Sequence, residues 1–228
     1  MNQASPFRRL VANFPRYSRN WVHWLVALGE LPPNTARELL DRLQPQPVQC
    51  PRATPSFNGY VASSLFLHRC HRHLTDGPAE NLHLVTGIVL DNRFVMTDLV
   101  ALNHVDRRVS RAFASPGDVR NGLLLMESFG LRCGGLFHSH PGHGIASTSP
   151  SSTDWQNPRA WERAYRLIGA VFSHDGYGRF FGPQERLHVE VQGKKVKQID
   201  VDLFHLELDR GVPLPGSPEW GPGIGLGG

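Results

Sequence analysis

Apolar and polar positions divide the chain into three regimes. Between residues 18 and 28, Trp21, Trp24, Leu25 and Leu28 recur at 3/4 spacing, the stripe of an amphipathic helix. Gly29 is a natural stop for it. Thr35-x-x-Glu38 reads as a capping box opening a second helix through Leu39, Leu40 and Leu43. From about 56 to 209 the period switches between helix and strand. Ala62–Leu74, Val119–Phe129 and Asp154–Tyr165 read as helices. Leu82–Leu90, Arg93–Leu102, Arg132–Phe137, Leu167–Ser173, Tyr177–Phe181, Leu187–Val191 and Val196–Leu208 read as strands. Asp91-Asn92, Asp175-Gly176, Gly182-Pro183 and Gly193 supply the turns. Strands interleaved with helices, plus consecutive hairpins, predict a mixed α/β sheet with helices on its faces. Residues 210–228 lack any such period.

Composition sharpens this division into a helical appendage with a Pro-rich linker (1–52), a body (53–209) and a tail (210–228). The chain of 228 residues carries a net charge of +4. Residues 1–52 hold seven arginines against Glu30, Glu38 and Asp41, a net of 7 − 3 = +4. The body and tail together are therefore neutral, which speaks against a nucleic-acid function. Residues 211–228 hold seven Gly and four Pro and cannot bury a core. No run approaches the ~20 apolar residues of a membrane span. The N-terminus lacks the apolar stretch of a secretory signal. Three scattered cysteines, Cys50, Cys70 and Cys133, argue against a disulfide scaffold and for a reducing, cytoplasmic setting.

Candidate chemistry centres on Leu136-Phe137-His138-Ser139-His140-Pro141-Gly142. At period two, His138 and His140 project to one side near a strand end. Ser151-Ser152-Thr153-Asp154 follows, directly before a helical stretch, so Asp154 can return to complete a His2Asp set. Three protein ligands leave a fourth position open, as in catalytic rather than structural zinc sites. Glu80, just ahead of an apolar strand, is a candidate base. Asp154 and Ser151 also suit helix capping. His68, Cys70, His71 and His73 offer a second histidine group, which the arginine-rich surroundings mark as a solvated helix face. Cys133 reads as a buried thiol, not a nucleophile.

Glu80-Asn81-Leu82-His83-Leu84-Val85-Thr86-Gly87, then His138-Ser139-His140-Pro141, then Ser151-x-x-Asp154 resembles the pattern of the JAMM (JAB1/MPN/Mov34) metalloproteases. The order is the family's, and the match covers about residues 57–208. Gly169–Ser173 and Gly176–Phe181 resemble bacterial members. Two positions depart: His83 stands where the family has glycine, and 13 residues separate His140 from Asp154, more than is usual there. The resemblance implies a mixed, mainly antiparallel sheet flanked by helices, cytidine-deaminase-like in architecture. It implies one catalytic Zn2+ on His138, His140 and Asp154, Glu80 as general base and Ser151 as oxyanion donor. The implied activity is hydrolysis after the C-terminal Gly of a ubiquitin-like protein, from a precursor or a lysine conjugate. E1-like and E2-like proteins, sometimes in antiviral defence systems, are the implied partners. The alternative is a zinc hydrolase of the same fold acting on a small amide or a sulfur-carrier protein. A metal-free scaffold is disfavoured because no ligand is missing. His143 and Gly144, in the long loop, are candidate substrate contacts. Residues 106–122 occupy an insertion region that can pair with a substrate tail. Gly225-Leu226-Gly227-Gly228 resembles such a tail itself, although a plain flexible segment explains it more simply.

Overall fold

The computed structural model describes residues 22, 31–42, 53–102, 104–108, 111–161, 165–183 and 187–208. The expected helix over 18–28, most of the linker and the tail lie outside them. Helix α1, Pro33–Arg42, opens two residues before the expected capping box. Proline suits a first turn, whose N–H groups lack intrahelical partners in any case. Val22, Leu31 and Ala36 share an apolar cluster with Leu82, Leu84, Leu123 and Met126 of the body.

The helix expected from Ala62 is two elements. Strand β1, Tyr60–Ser63, comes first, and α2 follows over Ser64–Leu74. Ser63 ends the strand and caps the helix, its Oγ accepting from Phe66 N at 3.0 Å. Strands β2 (Leu82–Leu90) and β3 (Arg93–Ala101) meet at Asp91-Asn92, with φ of 46° and 61°. Both central residues at positive φ give the type I′ geometry whose twist matches the flanking strands. A separate hairpin, β4 (His104–Arg108) and β5 (Arg111–Ala114), fills the insertion region. Helix α3, Pro116–Ser128, starts three residues earlier than expected, because Ser115 caps it by accepting from Asp118 N at 3.0 Å. Then come β6 (Arg132–Ser139), a 3-10 turn (Ile145–Thr148), α4 (Ser152–Trp161), β7 (Ile168–Phe172), β8 (Tyr177–Phe181) and β9 (Val189–Gln192). The expected strand Val196–Leu208 is broken into β10 (Val196–Gln198) and β11 (Leu203–Leu206).

Among the described residues, nine strands form one sheet in the order β10-β11-β8-β7-β6-β2-β3-β1-β9. Pairing is mainly antiparallel; β1 runs parallel to β3 and β9, and β6 parallel to β7. The edge strands β9 and β10 are consecutive in sequence. A flat sheet of this width would hold its edges nearly 40 Å apart at ~4.8 Å per strand. The connection from Gln192 to Val196 can span only about 14 Å. The sheet must therefore curl, and it curls around α2, which touches β1, β3, β6 and β11. The two faces carry separate cores. Phe66, Leu67, Cys70 and Leu74 of α2 pack with Phe94, Phe137, Phe172, Phe180 and Phe204 inside the curl. Leu123 and Met126 of α3 cover Leu82, Leu84 and Leu136 on the other face.

This placement corrects one expectation. The α2 histidine group is not a solvated face: Arg69, Cys70 and His71 are buried. Arg69 Nη1 lies 2.7 Å from Asp98 Oδ1 on β3, and this interior ion pair allows so polar a helix inside the sheet.

Candidate metal centre

The site forms where β6 ends, on the face opposite α2. Leu82 pairs with His138 and Gly169 with Leu136, which fixes the height of His138 on the sheet. His140 lies one residue beyond the strand, yet its N–H still donates to Phe172 O at 3.0 Å and prolongs the pairing with β7. Both imidazoles thus share one side, as period two requires. Opposite them, Ser151 and Asp154 cap α4 reciprocally. Ser151 N donates to Asp154 Oδ2 at 2.6 Å, and Asp154 N donates to Ser151 Oγ at 3.3 Å. Capping and convergence coexist: the same carboxylate reaches both histidines.

The distances are specific. His138 Nε2 and His140 Nε2 are 3.1 Å apart. His138 Nε2 lies 3.2 Å from Asp154 Oδ1, and His140 Nε2 lies 3.5 Å from Asp154 Oδ2. Ligand atoms about 2.0–2.1 Å from a tetrahedral zinc would sit roughly 3.3 Å from one another. Among the described residues these three alone form a group able to hold a metal ion. His140 Nδ1 donates to Ser147 O at 3.0 Å, so its Nε2 is the nitrogen with a free lone pair.

Electrostatics agree with this grouping. Burial works to raise the Asp154 carboxyl, but hydrogen bonds from His138 and His140 outweigh it and hold the group well below the usual carboxylate range. Burial would lower His140; the Asp154 carboxylate overcomes it and raises the imidazole. Glu80 is half-buried, and its pKa is raised, first by burial, with His140 and His138 pulling it back. The expected base therefore lies within the field of the triad.

Several contributors escaped the sequence reading. Ser139, between the two histidines, points the other way: its Oγ donates to Leu74 O at 2.6 Å and accepts from Asn81 N at 3.2 Å. Asn81 Nδ2 also donates to Leu74 O at 2.8 Å, so the end of α2, the Glu80-Asn81 segment and β6 are tied at one point. Phe181 stands edge-on to both His138 and Trp155, giving the site an apolar wall. The sequence signal for Ser139, Asn81 and Trp155 is adjacency to His138, Glu80 and Asp154; for Phe181 it is membership of the Gly176–Phe181 strand. The candidate contacts His143 and Gly144 lie in the loop between β6 and the 3-10 turn. His143 is exposed, 6.1 Å from the His174 ring, and Gly144 donates its N–H to Asp175 Oδ2 at 2.8 Å. Cys133 is buried as expected, and burial pushes its thiol up to about 12.

No family model matches the chain. No curated protein matches it either. Among solved structures, a solution structure of the protein DSY2949 from Desulfitobacterium hafniense is similar, with a TM-score of 0.43 and 16% identity, over 59% of this chain and 94% of that one.

Proposed function

We propose that this chain is a zinc-dependent (iso)peptidase of the JAMM type, hydrolysing the bond after the C-terminal Gly of a ubiquitin-like protein. The observation that carries this reading is the convergence of His138, His140 and Asp154 at tetrahedral spacing, with Glu80 coupled to all three. When bound, the ion supplies Lewis acidity, acidifying a water and polarising the scissile carbonyl. Glu80 takes the proton of the attacking water and returns it to the departing amine; burial raises its pKa, the direction that suits a general base. Ser151 Oγ accepts from Asp154 N, which leaves its hydroxyl proton free to donate to the oxyanion. Phe181, edge-on to His138, would give the reacting carbonyl an apolar wall. Within this reading, an extended substrate tail would pair with an edge of the β4–β5 hairpin, and the setting would be cytoplasmic, beside E1-like and E2-like proteins.

The test is incubation with a ubiquitin-like protein fused to a peptide, and with the same protein joined to a lysine side chain, with and without chelator. Chelator-sensitive release after the terminal glycine is the expected result. Absence of cleavage of either substrate by the zinc-loaded protein would overturn the proposal. Chelator-sensitive hydrolysis of a small amide alone would move the reading to the alternative substrate class.

A further inference from the structure

The loop that orients His140 is held by a side chain far from it in sequence. The β7–β8 turn carries Asp175, whose Oδ1 accepts from Ser173 Oγ at 2.6 Å. That bond is local, of a kind any aspartate in such a turn can make. The second bond is not: Asp175 Oδ2 accepts from Gly144 N at 2.8 Å, across 31 residues of sequence.

Gly144 has φ of +76°, a conformation that aims its N–H at the carboxylate and that L side chains rarely adopt. A Cβ there would meet nothing within 4 Å, so the backbone angle, not crowding, calls for glycine. From Gly144 the 3-10 turn begins. Ser147 N donates to Gly144 O at 3.1 Å, and Ser147 Oγ donates to His143 O at 2.8 Å. The carbonyl of Ser147 then receives the Nδ1 proton of His140 at 3.0 Å. An unbroken chain of bonds therefore runs from Asp175 through Gly144 and Ser147 to the ring of a ligand. A parallel backbone tie, His174 N to Gly142 O at 2.9 Å, anchors the loop's other end and would survive any side-chain change.

We propose that Asp175 is a positioning residue of the metal centre: it fixes the loop over residues 142–148, whose Ser147 carbonyl holds His140 in the tautomer and orientation that present Nε2 to a cation. The proposal rests on the metal reading of His138, His140 and Asp154. Asp175 is not one of the three residues that converge to hold the ion.

Asp175→Ala removes both bonds. Asp175→Asn keeps an amide oxygen for Gly144 N, and its NH2 can donate to Ser173 Oγ, which in turn can give its proton to Tyr177 O, already 3.2 Å away. Zinc affinities of the wild type and both variants, read by competition with a chromophoric chelator, test the idea. Partners outside the coordination sphere typically matter 10–100-fold, so Asp175→Ala should bind zinc ~10-fold more weakly and Asp175→Asn within ~3-fold of wild type. The metal-free melting temperatures should stay close together. Equal zinc affinity of wild type and Asp175→Ala, or equal weakening in both variants, would overturn the proposal. Histidine 1H–15N spectra of the metal-free proteins, recorded above the titration of His140, separate this outcome from failure of the metal reading. The His140 Nδ1 proton should be fixed in wild type and Asp175→Asn and lose its single tautomer in Asp175→Ala. An unchanged tautomer contradicts the positioning role even if the wild type binds no zinc.

Discussion

Helix α2 presents His68, His71 and His73, and the end of β6 presents His138 and His140. His68 and His71, one turn apart, and His138 and His140, at period two, each share one side of their element. The difference lies in which ring nitrogen the backbone takes. His68 Nε2 bonds Lys195 O at 3.0 Å, and His71 Nε2 bonds Ser173 O at 3.1 Å. A carbonyl only accepts, so those nitrogens carry protons and have no lone pair for a cation. At His140 the carbonyl of Ser147 takes Nδ1 instead, and Nε2 turns toward His138 and Asp154. The helix group serves the interior of the curled sheet; the strand group leaves three donor atoms facing one point.

The largest effect that would break this comparison is on metal binding. His140→Ala or Asp154→Ala should weaken zinc binding by more than the ~100-fold that marks the upper range for outer partners, whereas His68→Ala should leave it unchanged. Competition titration checks both. Loss of zinc in His68→Ala would place the ion at the wrong group. Next comes the rate. Glu80→Gln should lower substrate cleavage by ~10^2–10^4-fold while zinc stays bound, because the carboxylate moves protons and is not a ligand. Metal content and turnover measured on one preparation separate the two. Ser151→Ala should slow cleavage by about 100-fold if its hydroxyl meets the oxyanion. Loss of the α4 cap alone would instead lower stability by ~1 kcal/mol and leave the rate near wild type.

The smallest effect is on pH dependence, where the two groups have opposite signs. His140 is raised in the folded, metal-free protein, so its contribution is full below an unfolded pKa of about 6.5 and is lost as pH rises through the folded value. His71 is lowered, first by burial, and His73 is lowered to about 4, by burial and then by the charges of Arg69 and Arg72. Their contributions are full above about 6.5 and are lost as pH falls toward the folded values. Melting curves of metal-free protein should therefore show His140→Ala flattening the loss on the alkaline side and His73→Gln flattening the loss on the acid side. The reverse pattern would mean that the two environments have been interchanged.

Much of this was legible before the fold was known. The Asp91-Asn92 hairpin, the β7–β8 hairpin and the apolar run into His138 each express one local rule that tertiary packing does not override. Strand β1 was not legible. It has four residues, its partners β3 and β9 lie 30 or more residues away, and its Ala62-Ser63 continues smoothly into a helix pattern. The burial of α2 was hidden for a related reason: Arg69 and His71 look solvated until Asp98 and Ser173 O, brought in from β3 and beyond β7, give them partners. The ligand set was readable because each ligand sits in a motif, His-x-His or Ser-x-x-Asp. In the sequence Asp175 shows itself only as a turn former, since its partner Gly144 is 31 residues away. What sequence spacing supplies is the element a residue rides on; what it lacks is the second bond that orients the ring.

Metal analysis of the purified chain tests the central claim most directly, run alongside a His138→Ala/His140→Ala double variant. The account predicts close to one zinc per chain in the wild type and essentially none in the double variant. A wild type that holds no zinc when supplied with it, or a double variant that keeps it, would contradict the account.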